Sequence, residues 1–178
     1  MSLVLHYSGM ARYNAWMNEK LLTVCDTLSD AELRSNQGLF FKSVLATLNH
    51  LLLADRAWML RFTKDRERYV SRNADGSVIQ ITSLDHLLYS DWEAFKAERR
   101  KTDADIDAWV EELDEQSLLE HIVYKTSTGL EFDHPMWQAV SHLFNHQTHH
   151  RGQASTLLFQ AGVDVGVTDL NALIASEA

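Results

Sequence analysis

Cysteine and proline occur once each in 178 residues, as Cys25 and Pro135, and glycine only seven times. One cysteine excludes an intramolecular disulfide and fits a reducing compartment. So few chain breakers leave room for long helices and argue against a β-sandwich, which needs a turn every few residues. No apolar run approaches the roughly 18 residues a membrane span requires. The start, Met-Ser-Leu-Val-Leu-His-Tyr, lacks the basic and long apolar regions of a signal peptide. Positive charge is also scarce: 16 Lys and Arg stand against 25 Asp and Glu, a net charge of −9. The densest basic cluster, Arg99-Arg100-Lys101, runs straight into Asp103, Asp105 and Asp107. A phosphate-gripping surface needs a basic face, so neither nucleic acid nor an anionic membrane is an expected partner. A P-loop, Gly-x-Gly-x-x-Gly and an ordered Ser-His-Asp set are all missing. These absences predict a soluble, cytoplasmic protein of one domain, 1–178, with an ordinary apolar content of 46%.

What is present is helical. Met10, Tyr13, Met17, Leu21 and Val24 recur at intervals of three and four, predicting a first helix from about Val4 to Val24. Ser29-Asp30-Ala31-Glu32 has the form of a capping box. A second helix, about Ser43 to Phe62, is apolar nearly all round and should lie centrally. Residues 63–82 read as a polar loop with a turn at Asn73-Ala74-Asp75-Gly76. Thr82-Ser83 precedes a third helix expected over Leu84–Lys101, and residues 103–120 suggest a further short one. Between His121 and Phe132, β-branched and aromatic residues flank Ser127-Thr128-Gly129, the pattern of a small hairpin. Pro135 suits the first turn of a fourth helix running to about Gln160, with Gly162 as its stop. The pattern is that of an all-α four-helix bundle with a long crossover and a short hairpin.

Four of the nine histidines lie between positions 142 and 150. Positions i and i+4 of a helix stack about 6 Å apart, close enough for two imidazoles to share one ion. Both His142/His146 and His146/His150 have that spacing. At about 100° per residue, His150 lies at the edge of the face defined by Val140, Leu143, Ala154 and Leu157. His146 lies roughly 40° further out, His142 further still, and His149 toward solvent. The 146/150 pair therefore faces inward. A bundle-core metal draws ligands from facing helices, and the apolar second helix offers one histidine, His50. A core histidine is more often a hydrogen-bonded packing residue than a ligand, and helix surfaces carry His-x-x-x-His by accident. Together, however, three neutral imidazoles with one open position are the donor set of a catalytic metal site. Zinc suits it, and nickel, cobalt, copper and ferrous iron are allowed. The glutamate of His-Glu-x-x-His is absent, so no protease follows.

At these residues the chain resembles the DinB/YfiT-like family. Leu143-Phe144-Asn145-His146-Gln147-Thr148-His149-His150-Arg151-Gly152-Gln153 is similar to that family's signature helix. His50 with Trp58, Tyr13-Asn14-Ala15-Trp16, Leu28 to Leu33, Gly162 and Asp169 match further features. The resemblance implies an up-down-down-up bundle, a homodimer, and one divalent metal per chain, zinc or nickel, on His50, His146 and His150. It also implies, for some members, transferase or isomerase chemistry with a low-molecular-weight thiol bound as thiolate. The alternatives are a metal-dependent hydrolase, a non-catalytic metal-binding or stress-response module, and a dimer that the ion merely stabilises. The catalytic residues themselves are not identified. Elsewhere, Gln147 and Arg151 fall near the middle of the fourth helix's apolar side. For Arg151 a structural ion pair is the simpler reading and recognition of a carboxylate the functional one. Cys25 reads as a small hydrophobe, and Asp103, Asp105, Asp107, Glu111 and Glu112 as a solvated face.

Overall fold

The computed structural model describes residues 2–38, 40–126 and 128–176. It is mostly helical, and four long helices dominate. α1 (Leu3–Cys25) packs on α5 (Trp92–Glu111) and α6 (Met136–Gln160), and α3 (Val44–Thr63) packs on the same two. The short helices are α2 (Asp30–Arg34), α4 (Arg66–Tyr69) and α7 (Leu170–Ser176).

Local chemistry explains most boundaries. Ser2 and Ser43 accept hydrogen bonds from Leu5 N and Ala46 N and so start α1 and α3. Ser29 and Glu32 form the expected reciprocal box at α2. α6 ends in a Schellman arrangement: Gly162 adopts φ +81°, and Val163 N donates to Leu158 O at 2.9 Å. Glycine is required there because the left-handed conformation penalises a Cβ.

The expected third helix is displaced. α5 begins at Trp92, capped by Asp91, and continues through residues assigned to a separate helix, to Glu111. Residues 84–90 are held across α3 instead. Asn49 accepts from Tyr89 N at 2.9 Å and donates to Tyr89 O at 3.2 Å, while Leu84 O receives His50 Nδ1 at 2.8 Å. Side chains of α3 thus satisfy backbone groups that a helix would pair internally. After α5 only a 3₁₀ turn, Ser117–Leu119, precedes the hairpin. The segment read as a loop contains α4, capped by Asp65, before the Asn73–Ser77 turn.

The hairpin is real: β1 (His121–Lys125) pairs antiparallel with β2 (Glu131–Pro135), Ile122 opposite His134 and Tyr124 opposite Phe132. Its predicted turn residue Ser127 lies outside the described residues. Strand alternation puts Ile122, Tyr124, Phe132 and His134 on one face. Pro135 closes β2 and caps α6, just before the first helical turn where it was expected.

The apolar interior forms two clusters. One contains Leu21, Leu45, Leu52, Phe95 and Leu157; the other contains Tyr7, Met59, Ile106, Leu143 and Phe144. Between them along every long helix lies a polar layer: Asn14 and Asn18, Asp55, Arg99 and Asp103, and Gln147 and Arg151, all buried. Asp103 is therefore not on a solvated face. Arg99, one turn earlier, chelates it at 2.8 and 3.1 Å, and Asn14 and Asn18 donate to it at 3.1 and 2.8 Å. Burial pushes its carboxyl up to about 6 despite Arg99. Arg151 is held by the side-chain oxygens of Asn14 and Gln147, and no carboxylate lies at ion-pair distance from it among the described residues. Cys25 is fully buried, and burial lifts its thiol to about 12, as befits a packing residue. Among the described residues no helix is long and apolar enough to cross a membrane.

Candidate metal centre

The polar layer sets the level of the histidines. His146 and His150 flank Gln147 and Arg151 on α6, and His50 lies one and a half turns before Asp55 on α3. One ligand atom from each of His50, His146 and His150 lies within 4.8 Å of the others, so this trio could hold a metal ion. The rings are centred 4.4 to 5.1 Å apart.

Outer hydrogen bonds orient two of the three rings. A carbonyl can only accept, so the 2.8 Å contact from His50 Nδ1 to Leu84 O places the proton on Nδ1 and the lone pair on Nε2. His150 Nδ1 stands 2.8 Å from Gln153 Oε1, which directs its Nε2 lone pair inward in the same way. Metal-ligating histidines are commonly fixed by such outer acceptors. His146 Nε2 lies 3.2 Å from His50 Nε2, while its buried Nδ1 has no hydrogen-bond partner among the described residues. Two ring nitrogens facing each other at that distance need a proton or a cation between them.

Electrostatics keep the trio neutral. Burial lowers the pKa of all three, and mutual repulsion adds to it for His146, which falls to about 3. Near pH 7 each imidazole therefore offers a lone pair rather than a proton. The donor set and its protonation fit a borderline divalent ion such as zinc or nickel.

The geometry brings in residues that sequence reasoning missed. Phe41 stacks on His50 with centroids 4.0 Å apart and meets His150 edge-on at 5.4 Å. No periodicity reaches across from that loop. Gln153 was legible only as the last residue of the signature helix, three positions after His150. His142 is exposed, as its position away from the interior predicts, with its ring 5.1 Å from that of Trp58 and 5.9 Å from that of His146. Periodicity located the helices' inward faces; it could not show that the hairpin borders a further space beside α6. That space is a cavity of about 580 Å³ between α3, α6 and the hairpin. Its walls include His50 and His146 at one side, Ala54, Ala57 and Trp58 along α3, and Tyr124, Phe132 and His134 from the hairpin. His149 is exposed, as expected, and receives a hydrogen bond from the Gln153 amide at 3.2 Å.

Fold and site together define a helical protein with a three-histidine cluster able to hold a metal ion beside a cavity. The sequence profile of the DinB family matches residues 1–177, and the chain belongs to that family. A crystal structure of a DinB-like protein from Bacillus cereus ATCC 10987 is similar, with a TM-score of 0.58 and 19% identity, covering 88% of this chain and 91% of that one. At that identity the likeness speaks to the fold. No curated protein matches the chain significantly.

Proposed function

We propose that the chain binds one divalent ion, zinc or nickel, through His50, His146 and His150, and uses it to hold a small thiol as thiolate for transfer to an electrophile. The observation that carries this reading is the trio's setting. Two rings are locked with Nε2 inward, the cluster has no fourth His, Cys, Asp or Glu among the described residues, and two of its histidines line a cavity. A purely structural site would be closed by a fourth donor. A bound ion of this kind supplies positive charge that lowers the pKa of a thiol or water beside it. The chain's residues supply the rest: Leu84 and Gln153 hold the ligand tautomers, Phe41 covers His50 and His150, and the hairpin gives the substrate's side an aromatic wall.

The test is conjugation of candidate thiols to a chlorinated aromatic by metal-loaded protein. An S–C bond replaces the C–Cl bond, chloride leaves, and the thiol's proton passes to solvent. The expected result is a rate above background that His150→Ala abolishes. Ester or amide hydrolysis without conjugation would reassign the site to a hydrolase, and silence in both assays to a non-catalytic module.

The reading includes a single domain of up-down-down-up bundle topology, active in the cytoplasm as a homodimer. Exposed apolar side chains such as Leu5, Phe159 and Ile174 support association. Sedimentation at micromolar concentration is expected to give the mass of two chains, and a monomer alone would overturn the dimer.

A further inference from the structure

The cavity beside the histidines holds one cation with no counter-charge. Arg61, in the last turn of α3, is half-buried in its wall. Its guanidinium packs 4.7 Å from the ring centre of Trp58 and 5.1 Å from that of Tyr124. The other partly or fully buried arginines differ. Arg56 pairs with Glu98, Arg99 with Asp55 and Asp103, and Arg151 bonds to amide oxygens. Arg61 has no ion pair and no hydrogen bond among the described residues, and no Asp or Glu lines the cavity, although the chain carries net charge −9. Trp58 and Tyr124, whose ring centres are 5.0 Å apart, both lie on one side of the guanidinium, which leaves N–H groups on its other side to a ligand.

We infer that Arg61 anchors the carboxylate of a small, largely apolar substrate whose other end reaches the three-histidine site. Bidentate pairing is what a guanidinium edge does best with a planar carboxylate. One arginine without a lysine or a long helix N-terminus favours a carboxylate over the more highly charged phosphate. The aromatic and alanine walls fit an apolar body, and about 580 Å³ is the size of small-molecule sites. His142 borders the same space and can add a hydrogen bond. The inference names the substrate class of the site proposed above, and only the orientation toward the histidines rests on that proposal.

Calorimetric titration with benzoate, benzamide and phenyl phosphate tests it, on both metal-loaded and chelator-treated protein. Benzoate is expected to bind more tightly than benzamide in both forms. Arg61→Gln should weaken benzoate roughly 10- to 100-fold, the worth of charge-assisted hydrogen bonds, and leave benzamide nearly unchanged. Arg61→Lys should keep a reduced preference. If Arg61→Gln does not fold, the lysine variant and the benzoate–benzamide comparison in the native protein still decide. Equal binding of benzoate and benzamide overturns the inference. So does a benzoate preference that survives Arg61→Gln or is confined to the metal-loaded form, which would place the carboxylate on the ion or the histidines. Tighter Arg61-dependent binding of phenyl phosphate would overturn the assignment to carboxylates. Metal stoichiometry is read separately, so loss of one proposal leaves the other standing.

Discussion

Protein loaded with zinc or nickel is expected to carry one ion per chain, and His146→Ala to carry close to none. His146 is central to the trio: its Nε2 faces His50 Nε2 at 3.2 Å, and its ring is 4.4 Å from that of His150. Its removal leaves one imidazole on each helix. Gln153→Ala should act more gently. The ligands remain, but His150 loses the acceptor that fixes its tautomer, and such outer partners are worth about 10- to 100-fold in metal affinity. His149→Ala should bind nearly normally, because that ring is exposed and meets the site only from outside, edge-on to His150 at 4.8 Å and receiving the far side of the Gln153 amide. An ion that binds only the folded chain adds about 2.7 kcal/mol at a free concentration 100 times its dissociation constant. For a chain of this length that is a rise of roughly 5–11 °C in Tm, which a chelator should reverse. Elemental analysis and thermal melts read both quantities. Full metal retention in both His146→Ala and His50→Ala would remove the assignment.

That His50, His146 and His150 come together was legible in the sequence, for a physical reason. An i,i+4 histidine pair is a local pattern, and His50 stands out as the sole histidine on a helix apolar nearly all round. The boundaries of α1, α3 and α6 were similarly legible, because a Schellman glycine and unbroken periodicity are local chemistry. The rest depended on partners far along the chain. Residues 84–90 carry apolar side chains at helical spacing, but Asn49 and His50 claim their backbone groups from some 35 to 40 positions away. Arg61 carries no sign of its setting in the sequence, because the hairpin that borders its cavity lies some 60 positions later. Asp103 shows the opposite lesson. Its partner Arg99 was one turn away in the sequence, yet the surrounding acids made the whole stretch read as solvated.

Arg99→Met is expected to cost about 3–5 kcal/mol, the penalty for leaving a buried ion pair without one partner. Arg99 and both its carboxylates are buried: Asp55 at 2.7 Å from Nη1 and Asp103 at 2.8 Å from Nη2. Burial opposes its protonation, yet the two carboxylates hold its pKa above the ordinary arginine value. They join Asn14, Asn18, Gln147 and Arg151 in a network touching all four long helices, two carboxylates against two guanidinium groups. Methionine fills similar space without charge, so both carboxylates would stay buried with only Arg151 and neutral amides nearby. The Tm should fall by roughly 6–20 °C. The next residue provides the control. Arg100 makes an equally well-formed pair with Glu19, at 2.8 Å, but about half exposed, and Arg100→Met should cost only about 0.2–1 kcal/mol. The penalty at Arg99 should also shrink as the pH is lowered toward 6. Asp103 already titrates near 6 with Arg99 present, and protonating it removes charge that the variant no longer meets. Replacing Asp55, Arg99 and Asp103 together by apolar residues of similar volume should be far less damaging than the single change, because no unpaired charge remains. Urea unfolding at pH 7.5 and 5.5 measures all of this. If Arg99→Met and Arg100→Met are equally mild, the polar layer is not what ties the four helices together.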